Sequence, residues 1–178
     1  SVATGRAAAP LAATQLFLPL VVQPGTISLA PDEQAVLNAV NNERAKLPNC
    51  PALTVSPALQ QAARIHSDDM AARDYFDHKD PDGVDGVARA KAAGYASKYV
   101  GENVAAGQAS AQIVMYNSNF GWMNSESHRK NILNCAYSET GIALTYQPDD
   151  KANVRLPNGS ISGPFRYYWT QTFGNPNL

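Results

Sequence analysis

The chain has 178 residues, a formal charge of −1 at pH 7 and only 16% charged side chains. That length suits one domain with a sizeable core, and the near-neutral balance leaves no basic footprint for nucleic acid. No run of about 18 apolar residues occurs, so no segment reads as a membrane-spanning helix.

Residues 1–30 read as a tail or linker, rich in Ala, Thr, Gly and Pro and without helical periodicity. The exception is Leu-Phe-Leu-Pro-Leu-Val-Val at residues 16–22. Proline spoils a helix there but is tolerated on an edge strand. Two readings stay open for it, an edge strand lying on the domain or a spacer after an export signal. The chain starts at Ser1 without an initiator Met, as after removal of a signal peptide or trimming. The domain is expected over residues 31–178. Pro31 suits a first helical position, and Asp32 and Glu33 suit its positive end. Val36, Leu37, Val40, Arg44 and Leu47 share a face, which predicts a helix to about Leu47, stopped by Pro48. Residues 49–55 read as a loop carrying Cys50.

Ser56-Pro57 is a start signal for a second helix. Leu59, Ala62, Ala63, His66 and Met70 recur on one stripe, so His66 reads as a core histidine rather than a ligand. Residues 75–83 follow as a loop, anchored by Tyr75 and Phe76 and closed by a Pro-Asp-Gly turn, with His78 between. Its acidic residues do not match an EF-hand calcium loop. A short helix over residues 87–93 ends at Gly94. Residues 99–105 alternate as a strand, with Glu102 between Val100 and Val104. A carboxylate there is costly to bury alone, so Glu102 needs a cationic or hydrogen-bond partner, or a cleft.

A fourth helix is predicted over residues 109–123, with Ile113, Tyr116, Phe120 and Met123 as its apolar side. Gly-Trp-Met-Asn-Ser-Glu-Ser-His-Arg-Lys-Asn-Ile-Leu at residues 121–133 then makes a corner holding His128, with Ser125 capping a short helical turn. Ile142, Leu144 and Tyr146 alternate as a strand. Residues 147–162 read as a long hairpin connection with one short strand near Val154. The final strand spans residues 165–173, with Phe165, Tyr167, Trp169 and Phe173 on one side. Cys50 and Cys135 lack neighbouring soft ligands for a metal site. One disulfide or two buried thiols are the alternatives, and closing so long a loop would stabilise by roughly 4–5 kcal/mol.

Several stretches taken together carry a resemblance: Ala-Arg-Ile-His-Ser-Asp-Asp-Met at residues 63–70, Phe-x-His from Phe76, Gly-Glu-Asn-Val-Ala at 101–105, Trp-Met-x-Ser-x-x-His-Arg-x-Asn-Ile-Leu from Trp122, and residues 168–174. In this order and spacing the chain resembles the CAP superfamily (cysteine-rich secretory, antigen 5 and pathogenesis-related proteins), in its bacterial SCP-like branch. The resemblance covers about residues 31–174. It implies an α+β fold, a three-layer α–β–α sandwich with a central, mostly antiparallel sheet. It also implies a Cys50–Cys135 disulfide, a secreted or envelope-associated location, and a cleft lined by two His and two Glu. Carried over, these are His78, Glu102 and His128. The second glutamate is expected at Ser125, beside which stands Glu126.

Two imidazoles and a carboxylate could ligate zinc or another divalent metal, with His78 and His128 as metal ligands. The same groups without metal form a hydrogen-bonded cleft. No Gly-x-Ser-x-Gly or His-Glu-x-x-His pattern occurs. The expected function is therefore a binding domain, most simply a monomer, whose His78/Glu102/His128 cleft takes a small ligand or cell-envelope component: a lipid, an envelope glycan or a protein partner. The alternatives are a zinc-dependent hydrolase or peptidase with Glu126 as general base, and an envelope domain without a small ligand.

Overall fold

A computed structural model describes residues 27–178; the apolar run at residues 16–22 lies outside them. Helix α1 is Pro31–Arg44, with Pro at its start and Asp32 and Glu33 in the first turn. It buries Val36, Val40 and Arg44. It stops short of Leu47, because the residue before Pro48 is pushed out of the helical region and the chain tightens into turns first. The Lys46 and Leu47 amides accordingly donate to the Glu43 and Arg44 carbonyls.

Strand β1, Thr54–Val55, lies in the expected loop and is too short to show alternation. Helix α2, Pro57–Ala72, buries Leu59, Ala62, Ala63, His66, Ser67 and Met70, following the predicted stripe. Helix α3 is Gly86–Ala92 and strand β2 is Val100–Ala106.

The predicted helix over residues 109–123 is corrected. Helix α4 covers only Ala111–Tyr116 and buries Ala111, Val114 and Met115. Asn117 leaves the helix with ψ 134°, and its Oδ1 accepts from the Asn119 and Phe120 amides. A short polar side chain that captures nearby amides competes with the helix. Phe120 is consequently 70% exposed instead of lying in the core. A 3-10 turn at Trp122–Asn124 leads into helix α5, Glu126–Ile132. Ser125 takes the cap position, yet its hydroxyl makes no cap bond and lies 3.3 Å from the Ser127 hydroxyl.

Strand β3 is Glu139–Tyr146 and strand β6 is Tyr167–Gly174. Between them β4, Val154–Arg155, pairs with β5, Ile161–Ser162, so the connection holds two short strands rather than one. Phe165 does not share a side with Trp169 and Phe173. Arg166 adopts φ +66° and breaks the alternation, so Phe165 packs edge-on to Tyr168 on the opposite face.

The main sheet has the order β1-β3-β6-β2, parallel only between β1 and β3. Helices α1, α4 and α5 cover one face around Trp122, Ile142, Trp169 and Phe173. Helix α2 covers the other with α3 beside it, and its Ser67 hydroxyl reaches the Ala143 and Tyr168 carbonyls. That makes the α–β–α sandwich. Close approach of α2 depends on Gly141, where a Cβ would overlap the Leu59 and Gln60 backbone. Cys50 and Cys135 are joined as a disulfide, with Cα atoms 4.8 Å apart. The bond ties the loop after α1 to the end of α5.

Candidate functional site

Strand β2 is an edge, and the candidate site is built around it. The Gly107 amide donates to the Tyr167 carbonyl. In that register the odd-numbered residues of β2 bond β6, and Glu102, Val104 and Ala106 turn their peptide groups outward. Two outward carbonyls are capped by side chains: Asn131 donates to Glu102 and the Trp122 indole to Val104. Asn103 donates to the His128 carbonyl and accepts from Asn131. The polar residues of the Gly-Glu-Asn and His-Arg-x-Asn motifs thus weld α5 to the strand.

His78 comes from the loop after α2. Its Nδ1 lies 3.0 Å from Glu102 Oε1. Glu102 has a side chain only 8% exposed and is also held by the Arg89 Nη2 at 3.1 and 2.8 Å. Arg89 further donates to the Val84 and His78 carbonyls, pinning the loop at both ends. The hydrogen bond to Glu102 raises the His78 pKa. Burial pushes Glu102 up, but the His78 hydrogen bond and the positive charges around it, Arg89 included, outweigh this and hold it below the usual carboxylate range. The sequence called for a cationic or hydrogen-bond partner for Glu102, or a cleft, and did not identify Arg89. The available signal was the pair of basic residues, Arg89 and Lys91, on the helix preceding β2.

His66 is fully buried behind Glu102, its Nε2 3.8 Å from the carboxylate. Its Nε2–H donates to the Asp77 carbonyl at 2.9 Å, and the Tyr75 hydroxyl lies 3.2 Å from its Nδ1. Burial pushes its pKa down to about 4, against the pull of Glu102. The unfolded imidazole protonates near its ordinary 6.5, so between those values the unfolded chain binds the extra proton. Stability from His66 is complete above pH 6.5 and is lost as pH falls toward 4, by roughly 3 kcal/mol. His78 acts with the opposite sign: its contribution is full below 6.5 and fades as pH rises through its elevated pKa. Urea unfolding at pH 7 and pH 4.5 should show a smaller loss of stability on acidification in His66→Gln than in the parent. Equal losses would refute this role for His66.

His128 stands on α5, across the edge of β2 from His78. Its ring lies 6.4 Å from that of Trp122, and its buried Nδ1 has no hydrogen-bond partner among the described residues. Burial, then the charge of His78, lower its pKa. It lines a groove of about 430 Å³ running along β2, with Phe76, Val104, Ala106, Phe120, Ser125 and Phe165 among the walls. His78 and Glu102 line a separate hollow of about 200 Å³. His128 and the His78/Glu102 pair thus line two hollows, and the charge of His78 still reaches His128.

Residues 37–173 match the cysteine-rich secretory protein family, CAP. The chain belongs to this family. It is 37% identical over 146 residues to the uncharacterized protein YkwD of Bacillus subtilis strain 168, covering 82% of this chain and 48% of YkwD. The chain thus spans about half the length of that relative. The fold is similar to a crystal structure of an extracellular SCP-domain protein from Bacillus anthracis (TM-score 0.62, 24% identity, 84% of this chain and 45% of that one). It is also similar to an outer surface protein of Borrelia burgdorferi (TM-score 0.60, 18% identity, 84% and 96%).

In this CAP domain the position expected to hold a second glutamate is filled by Ser125, which faces the groove. Glu126 does not replace it. Successive helical residues point about 100° apart, and Glu126 is exposed on an adjoining hollow with Ser127 and Lys130, which shares Ser125 with the groove. Glu126 is not among the residues lining the groove along β2. The divalent metal implied by the family is tested by the donors. Glu102 is committed to the Arg89 guanidinium and to His78. Among the described residues no three His, Cys, Asp or Glu side chains are grouped to hold a metal ion. The residues do not fit a three-ligand centre in this arrangement.

Proposed function

We propose that this CAP domain is an extracellular binding module whose groove along β2 receives an amphipathic, lipid-like ligand. The apolar part would lie against Phe76, Val104, Phe120 and Phe165, and a polar end would meet His128 and Ser125. One observation carries the reading: a groove walled by Phe76, Val104, Phe120 and Phe165 has half-buried His128 and Ser125 in its lining. Apolar walls with a few polar groups are the usual make-up of a small-ligand site. The disulfide and the extracellular or outer-surface descriptions of the two solved relatives support an exported location. No helix among the described residues is long and apolar enough to cross a membrane.

His78, Glu102 and Arg89 hold the loop that follows Phe76, and so fix one wall. Titration of the full chain with cis-parinaric acid, a fluorescent fatty acid, tests the reading. Saturable binding is expected, weakened about tenfold or more in Phe120→Asp, since burying a phenylalanine contributes roughly 1.5–3 kcal/mol. Phe120 is exposed, so the variant keeps the fold. No saturable binding to the parent chain, or equal binding to both, would reject the groove as a ligand site.

A further inference from the structure

We propose that the lobe carrying Ile113 and Phe120 is a docking face for an electrically neutral, zwitterionic lipid bilayer, through which the groove along β2 is loaded. The inference rests on reading that groove as the site of a lipid-like ligand. Such a ligand partitions into bilayers, so the mouth of its groove has to meet one. Phe120 stands at that mouth: it lines the groove and is nevertheless 70% exposed. Ile113, on α4, is 40% exposed and does not line the groove. Asn117 ties the two together, since its amide donates to the Ile113 carbonyl and its Oδ1 accepts from the Phe120 amide. One turn thus presents two large apolar side chains to solvent at the entrance of an apolar groove. Exposed apolar surface of this kind marks an interaction site.

Charge selects the partner. Residues 103–125 contain no Asp, Glu, Lys or Arg, and the exposed neighbours on the lobe, Gln112, Ser118 and Asn119, are neutral. A charged side chain resists leaving water for the acyl boundary. An aromatic ring sits well at headgroup level, with neutral polar groups beside it. An anionic leaflet is recognised by clustered Lys and Arg, and this segment offers none. The charged residues that do bond α4 are acids: Asp32 Oδ1 accepts from the Ala111 amide and Glu43 Oε1 from the Tyr116 hydroxyl. Their sign opposes an anionic surface and leaves a zwitterionic one as the match.

Flotation of the full chain with phosphatidylcholine vesicles tests this, comparing the parent with Ile113→Asp. The parent should float with the vesicles, and raising the salt should not release it. The variant should bind them at least about tenfold more weakly, because a carboxylate replaces an inserted aliphatic side chain. Titration with cis-parinaric acid in the absence of vesicles should give the same affinity for both, because Ile113 lies outside the groove. Absent flotation of the parent, or equal flotation of the two, overturns the docking face while leaving the ligand groove standing. Flotation that requires added phosphatidylglycerol and vanishes in salt also overturns it, since attraction would then come from basic residues elsewhere. A dimer in sedimentation that Ile113→Asp dissolves, without flotation, would assign the lobe to a second copy and overturn the proposal. Ile113-dependent flotation of a parent that binds no cis-parinaric acid would reject the groove reading and keep the docking face.

Discussion

Arg44→Met is expected to cost about 4 kcal/mol or more of folding stability. Arg44 is fully buried at the end of α1. Its Nε donates to the Pro51 carbonyl, Nη1 to those of Ile132 and Asn134, and Nη2 to that of Tyr137, at 2.8–2.9 Å. Burial lowers its pKa, yet no acidic group pairs with it in these bonds. The charge is solvated by backbone carbonyls alone. One of them, Ile132, belongs to the last turn of α5, where a cation also meets the negative helix end. Methionine preserves the volume, but the carbonyls belong to the main chain and cannot be replaced along with the arginine. Each carbonyl left buried and unpaired costs about 1–3 kcal/mol. Lysine should recover only part of the loss, since a single ammonium cannot span acceptors that the planar fork reaches together. Urea unfolding at neutral pH measures the difference, and a loss below about 1 kcal/mol in Arg44→Met would refute this account.

Removing the disulfide with Cys50→Ser/Cys135→Ser should cost about 4–5 kcal/mol. The bond closes a loop with a sequence separation of 85, and its loss returns that loop's entropy to the unfolded chain. Both cysteines are engaged, so no free thiol complicates the comparison. The same corner is held by Arg44, whose acceptors Pro51 and Asn134 adjoin Cys50 and Cys135. The folded geometry should therefore survive the substitution, and the loss should appear mainly as a lower urea midpoint. Groove binding of the fatty-acid probe should be unchanged under native conditions, because neither cysteine is among the residues lining the groove. An unchanged urea midpoint would contradict the loop-closure argument.

Much of the fold is legible in the amino-acid sequence. Periodicity places Val36, Val40 and Arg44 on one face of α1 and His66 on the apolar stripe of α2, and all four are buried. The motifs point to the CAP family and its layered fold. Periodicity misleads at residues 109–123, where Asn117 redirects the backbone through its own side chain and a formally continuous pattern is split. It also puts Phe165 on the wrong face, because the positive φ at Arg166 cannot be seen in a pattern of side-chain types.

The sequence by itself determined which residues seek burial, which two cysteines were available to pair, and that Glu102 could not be buried alone. Only the tertiary structure decided the partners. Three of the four Arg44 acceptors lie 88 to 93 residues away, and Glu102 finds Arg89 from a different element. The structure also separated His128 from Glu102 by placing them in different hollows and put Ser125, not Glu126, in the groove. The physical reason is one of range. Amphipathic periodicity reports a residue's exposure through its immediate neighbours, whereas hydrogen-bond and charge partners are fixed by how the sheet register and helix packing bring distant segments together.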